Sequence, residues 1–244
     1  MKQIQTIIFL LLFFCLLTCK AQKKDDGKTL NITYNVGSIT EINDFLKYNP
    51  DEIRFDSIYL AYDNVMDSIK HADSNNKDNE LIRKKDFRNN RSRIFMDLYN
   101  NGKAEPKDEE FNTGLPTPCE CFTDKDTLFI RMGIGFFGGF GFNIEAFGKN
   151  FKSSFFNYID DVKPYKTDLS DTSFYNFITI KNKYQYLILD KKPKFDAGQQ
   201  LTGYLTYTTN DYYEQNYSNK FDTMFVTGKL FFTCKIRQRT EWDR

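Results

Sequence analysis

From about residue 119 to the C-terminus, apolar side chains recur at every second position. A chain patterned in twos can gather them on one face only as a strand. The clearest case is Leu230, Phe232, Cys234 and Ile236, which share one face while Lys229, Phe231, Thr233, Lys235 and Arg237 share the other. Leu128, Ile130, Met132 and Ile134 alternate in the same way with Phe129 and Arg131. Phe140, Phe142, Ile144 and Ala146 alternate with Gly141, Asn143 and Glu145. The two runs flank Gly138-Gly139 and predict a hairpin. Further strands are expected over 151–159, 174–180, 184–189, 201–208, 221–227 and 230–236. With 25 Phe and 15 Tyr the chain has the large apolar side chains to build a core. Residues 119–244 are therefore expected to form an antiparallel β-sandwich or a barrel-like sheet.

The period differs upstream. Ser38 and Glu41 have capping-box spacing ahead of Ile42, Phe45 and Leu46, and Asn49-Pro50 stops that short helix. Phe55, Ile58, Tyr59, Tyr62, Val65, Met66 and Ile69 follow the i, i+3, i+4, i+7 series of an amphipathic helix that ends near His71. A second helix is expected over 81–99, carrying Phe87, Ile94 and Leu98 and closed by Asn100-Asn101-Gly102. Residues 103–118, rich in Pro, Gly and charge, are expected to be a linker. The fold class expected is α+β, with a helical segment over 38–102 and the β region over 119–244.

The chain begins with Lys2 and an eleven-residue, largely apolar run from Ile7 to Leu17. A run of this length is short for a bilayer core of about 30 Å and suits a signal peptide. It ends in Leu16-Leu17-Thr18-Cys19, which resembles the lipobox of bacterial lipoproteins. The resemblance implies cleavage after residue 18 and lipidation of Cys19, with residues 19–37 as a tether. Ordinary signal cleavage after Ala21 is the alternative. The following Lys20-Ala21-Gln22-Lys23-Lys24-Asp25-Asp26 resembles the tag that carries lipoproteins to the outer surface in Bacteroidetes-type bacteria. The implied address is the outer membrane, and the implied partner there is the membrane itself, held through acyl chains.

Charge excludes one class of partner. The chain has 34 Lys+Arg against 33 Asp+Glu, and loss of Lys2 with the signal leaves 33 of each. That balance lacks the basic footprint of a nucleic-acid binder. Gly133, Gly135 and Gly138 match the spacing of a dinucleotide-binding turn, but more strand follows them instead of a helix. They are read as a hairpin that lets neighbouring Phe side chains pack closely.

The remaining chemistry is sparse. Cys119, Cys121 and Cys234 remain once Cys15 and Cys19 are assigned to the signal and lipid site. A zinc site would need a fourth ligand, and His71, the one histidine, stands far upstream and suits a helix end. A disulfide from Cys119 or Cys121 to Cys234 is expected in an oxidising compartment, with Cys121–Cys234 taken as the pair. No metal or cofactor is expected. Paired carboxylates such as Asp160-Asp161 and Glu109-Glu110 keep a glycosidase-type hydrolase in view. Tyr212, Tyr213 and Tyr217 fall in the polar stretch 208–220 and are the candidate contact residues for a glycan or a protein. The expected function is that of a non-enzymatic binding or envelope-interaction module. A carboxylate-dependent extracytoplasmic hydrolase is the alternative.

Overall fold

The computed structural model describes residues 32–39, 89–107, 112–135, 138–160 and 162–240. The described residues all belong to one unit, Ile32–Arg244. They form thirteen strands: β1 (Ile32–Thr33), β2 (Asn35–Val36), β3 (Arg91–Asn100), β4 (Lys103–Ala104), β5 (Leu115–Asp124), β6 (Thr127–Gly135), β7 (Gly138–Phe147), β8 (Asn150–Ile159), β9 (Tyr165–Lys166), β10 (Phe177–Leu189), β11 (Gln200–Thr209), β12 (Tyr212–Gln215) and β13 (Phe221–Gln238).

The α+β expectation is thereby corrected, because the described residues form an almost wholly antiparallel β structure with no helical segment. The end of the second expected helix is strand β3. Ser92, Ile94, Met96 and Leu98 point to the interior while Arg91, Arg93, Phe95, Asp97 and Tyr99 point out. Ile94 and Leu98, four apart, fit a period of two as well as a helical turn, so the pair cannot discriminate. Asn101 (φ 49°) and Gly102 (φ 78°) both lie in the left-handed region. Asn-Gly therefore makes the two-residue hairpin turn into β4 instead of a helix end. The helix expected over 55–71, with His71, lies outside the described residues.

The expected linker also contributes strand, since Leu115-Pro116-Thr117-Pro118 opens β5. Pro116 and Pro118 pair with Arg93 and Arg91 of β3, whereas β6 joins β5 only from Cys119 onward. Cys119 donates its N–H to Asn90 O on the β3 side, at 3.1 Å. By alternation the two prolines turn their missing N–H positions to the unpaired side.

Eight strands close on themselves. β3, β5, β6, β7, β8, β10, β11 and β13 each pair antiparallel with the next, and ten register pairs from Arg91↔Thr233 to Asn100↔Met224 join β13 back to β3. The ring is an up-and-down barrel, in which every member is paired on both sides for at least part of its length. The expected strands at 174–180 and 184–189 merge into β10 across a bulge between Asn182 and Tyr184. Those at 221–227 and 230–236 merge into the eighteen-residue β13.

The interior is apolar. Ile94, Leu128, Ile130, Phe142, Ile144, Leu187, Leu201, Leu205, Leu230 and Phe232 are fully buried. Barrels of about eight strands enclose a space that side chains can fill, and here rings occupy it. Phe142 lies 4.4 Å from Tyr207 and 5.3 Å from Phe155, centroid to centroid. Outward positions of β11 are Gln200, Thr202, Tyr204, Thr206 and Thr208. On β7 and β8 they include Glu145 and Lys152, ion-paired at 2.7 Å. The apolar, filled interior differs from the polar lumen of membrane-spanning barrels.

One seam is incomplete. β8 and β10 stay paired for five residues, Phe177 to Lys181, and then part at the bulge. The Gln185 side chain fills the first gap, its Oε1 accepting from Ser153 N at 2.7 Å and Ser153 Oγ at 2.6 Å. Asn182 donates to Ser153 Oγ at 2.7 Å. Beyond this, β1 pairs with β8 and β2 pairs in parallel with β10. The Tyr34 ring is buried between them, and its hydroxyl donates to Gly148 O at 2.9 Å. The chain therefore enters the barrel at the end that holds the 148–149 and 190–199 connections.

The glycine motif forms part of the barrel wall. Gly133 pairs with Gly141 and Gly135 with Gly139 across the β6–β7 hairpin. Phe156 and Tyr158 of β8 lie over this glycine surface, where side chains on Gly133 or Gly135 would meet them. Phe140 and Phe142 pack on the other side, in the core. Phe136 and Phe137 lie outside the described residues.

Candidate functional site

The end of the barrel opposite chain entry is covered by two stitched segments, 162–176 and 210–222. Their frame is β9 against β12, with Tyr213↔Lys166 and Glu214↔Tyr165 in register, and β12 against the start of β13. Gln215 N donates to Pro164 O at 2.8 Å, and Tyr175 and Tyr165 exchange backbone hydrogen bonds at 2.9 and 3.1 Å.

The three tyrosines expected to act together are separated by this frame. Tyr212 is 1% exposed and faces inward with Met224, plugging the barrel mouth beside Phe155 and Tyr165, each 6.4 Å away. Burial pushes its phenol well above the ordinary value, with Glu214 adding to the effect. Tyr213 lies on the other face of β12 and is half-buried. Tyr217 is fully exposed at the tip of the β12–β13 turn. Asn216 holds that turn, its Oδ1 accepting from Ser218 N at 2.9 Å and Lys220 N at 3.1 Å.

Lys166 organises the neighbouring segment. It is 8% exposed, and its ammonium lies 4.5 Å from the Phe174 ring centroid and 5.0 Å from that of Phe221 while donating to Asp171 O. A buried cation needs such partners to offset its lost hydration. The segment then folds through two Asp-x-Ser turns. Asp168 accepts from Ser170 N and Oγ, both at 2.8 Å. Asp171 accepts from Ser173 N at 2.9 Å and from Tyr175 Oη at 2.8 Å. These hydrogen bonds hold both carboxyls below the usual range, so both are ionised at neutral pH.

This construction leaves Val162, Leu169, Phe174, Tyr175, Phe177 and Tyr217 exposed at one end of the barrel. Among the described residues, exposed large apolar side chains elsewhere are Val36, Tyr184 and Tyr186. Nothing in the sequence pattern points to 162–176 as a contact segment. The repeated D-x-S of Asp168-x-Ser170 and Asp171-x-Ser173 is its one legible signal, because that spacing favours side-chain-to-backbone turns.

Glu214 and Asp222 face each other across β12 and β13. Asp222 accepts from Asn101 at 2.9 Å and from Asn216 at 3.2 Å. Burial, then Asp222, pushes the Glu214 carboxyl up. Of the acidic pairs singled out in the sequence, Glu109-Glu110 and Asp161 lie outside the described residues, as does Cys19.

At the other end of the barrel three sulfurs meet. Cys121 and Cys234 form a disulfide with Cα atoms 5.8 Å apart, and Cys119 is a buried free thiol. All three sulfurs lie within 4.8 Å of one another. Burial, reinforced by Glu120, pushes the Cys119 thiol well up. Two bonded sulfurs and one protonated thiol do not make a tetrahedral zinc set.

No family model and no curated protein sequence matches the chain.

Proposed function

We propose that the protein is an exported, lipid-anchored surface protein that acts as a non-enzymatic recognition module, gripping a protein partner through the 162–176 and 210–222 platform. The observation that carries the reading is the exposure of six large apolar side chains on one end of a barrel whose interior is already filled. Exposed apolar clusters of this kind mark interaction sites. The setting of Tyr among Ser, Asn and Asp in both segments has the chemistry of a paratope, with rigid aromatic anchors beside adaptable polar contacts. Exposed Leu169 and Val162 favour a protein surface over a sugar. The lipobox-like Cys19 supplies the anchor, and the chain joins the barrel at the end away from the platform.

The test places a photo-crosslinking amino acid at Tyr217, and at Lys192 on the opposite end, in protein displayed on intact cells. A discrete protein adduct from position 217 alone, lost when Leu169→Ser and Tyr175→Ala are added, is expected. Equal adducts from both positions, or none from 217, would overturn the reading. Saturable binding to a glycan array that Tyr217→Ala abolishes would replace the protein partner by a glycan. Processing of the precursor that continues unchanged under globomycin would reject the anchor.

A carboxylate hydrolase has one observation in its favour, the raised Glu214 facing the hydrogen-bonded Asp222, a pairing that can separate an acid from a base. Loss of a glycosidase activity in Glu214→Gln would support it.

A further inference from the structure

The Cys121–Cys234 bond sits at a fork in the barrel wall. β5 and β13 pair in parallel for three residues, Cys121↔Ile236, Phe122↔Arg237 and Thr123↔Gln238. One step lower the start of β3 wedges between them, so that Arg91 pairs with both Pro118 and Thr233. Asn90 holds the apex, its O accepting from Cys119 N at 3.1 Å and its Oδ1 from Lys235 N at 2.7 Å. Before Cys121↔Ile236 the two strands are parted by Asn90, yet the sulfurs of Cys119, Cys121 and Cys234 all lie within 4.8 Å of one another. Cys234 thus faces two buried cysteines of β5.

We propose that Cys119 is a second bonding partner for Cys234, so that the buried disulfide passes between Cys121–Cys234 and Cys119–Cys234 by internal thiol–disulfide exchange. The sulfurs are already clustered within 4.8 Å, and both possible partners share the buried face of one strand. In the step, Cys119 gives up its proton and its sulfur attacks Cys234 Sγ. The Cys119–Cys234 bond forms, the Cys121–Cys234 bond breaks, and Cys121 leaves as a thiolate that takes up the proton. One disulfide and one thiol stand on each side of the reaction, so no oxidant or reductant is consumed. A Cys119–Cys121 bond does not compete, because successive same-face residues of a strand have Cα atoms about 6.6–6.8 Å apart, at the limit of what a disulfide bridges.

The closed barrel restrains the exchange. The thiolate is the attacking species, and full burial beside Glu120 keeps Cys119 protonated. Opening of the fork at Asn90 admits water and releases it. The disulfide thus has a reserve partner that acts when the wall loosens, in oxidative folding or under local unfolding.

Glu120 stands between the two cysteines, so cleavage after Glu places them on separate peptides. Cys121→Ser in the full chain, oxidised, alkylated in denaturant without reductant and cleaved after Glu, is expected to yield a Cys119–Cys234 linked peptide. Recovery of Cys119 and Cys234 both alkylated would overturn the proposal. Where Cys121→Ser does not fold, wild type decides. Held in urea near its unfolding midpoint at mildly alkaline pH and then acid-quenched, it is expected to give both linked peptides. Only the Cys121–Cys234 peptide from that treatment would overturn it.

Discussion

At the scale of single residues, the platform separates carboxylates by what surrounds them. Asp168 is exposed and Asp171 partly so, and both accept hydrogen bonds from their own turns, which keeps them charged. Glu214 is half-buried on β12, and burial plus Asp222 raises its carboxyl above the ordinary 4.5. The folded protein therefore takes up a proton at Glu214 more readily than the unfolded chain does. The favourable contribution is complete below the unfolded value and is lost as pH rises through the raised folded value. Glu214→Gln is expected to raise the melting temperature at pH 7 and to match wild type well below pH 4.5, the difference opening between those limits. Melting curves across pH test this. A gap of constant size at every pH would mean that the substitution acts through packing and not through ionisation.

At the scale of elements, strand identity was legible where only one period fits and illegible where two do. β11 alternates without exception, and the sequence placed it within a residue at each end. β3 did not stand out because Ile94 and Leu98 satisfy both periods, and β5 because Pro116 and Pro118 discourage a strand assignment. Only pairing shows that, among the described residues, no strand adjoins the prolines on their other side. The inward position of Cys234 could be read because alternation is local, whereas nothing local separates Cys121 from Cys119 as its partner. The platform could not be read, since Tyr212 and Tyr217 differ in burial only through the turn of the chain at β12. The seam was equally hidden, because nothing local reveals that Gln185 replaces a strand. Its consequence can be measured. In Gln185→Leu the Ser153 N–H, 5% exposed as a residue, loses its acceptor, which costs about 1–3 kcal/mol. Hydrogen exchange is expected to quicken at Ser153 and along β1 and β2, while the β11–β13 ladder stays protected. Uniform loss of protection would show instead that the seam and the ring open together.

At the scale of the whole molecule, the barrel is a ring whose closure depends on contacts far apart in sequence. β13 pairs with β3 and β5, from which β6 to β12 separate it in sequence, so an unfolded chain must bring distant segments together before the ring has a stable wall. A bond between β5 and β13 shortens that search. The Cys121–Cys234 separation of 113 residues encloses β6 to β12, and in the chain-entropy account a loop of that size is worth about 4–5 kcal/mol. The stabilisation belongs to either partner of Cys234 if Cys119 stands in reserve. Cys119→Ser and Cys121→Ser are then each expected to keep a bond and melt close to wild type. The double variant cannot form one, and at roughly 2–4 °C per kcal/mol for a chain of this size its melting temperature is expected to fall by about 8–20 °C under non-reducing conditions. Dithiothreitol should bring wild type down to the same value and leave the double variant unmoved. A full fall already present in Cys121→Ser alone would assign the whole constraint to Cys121 and leave Cys119 a packing residue.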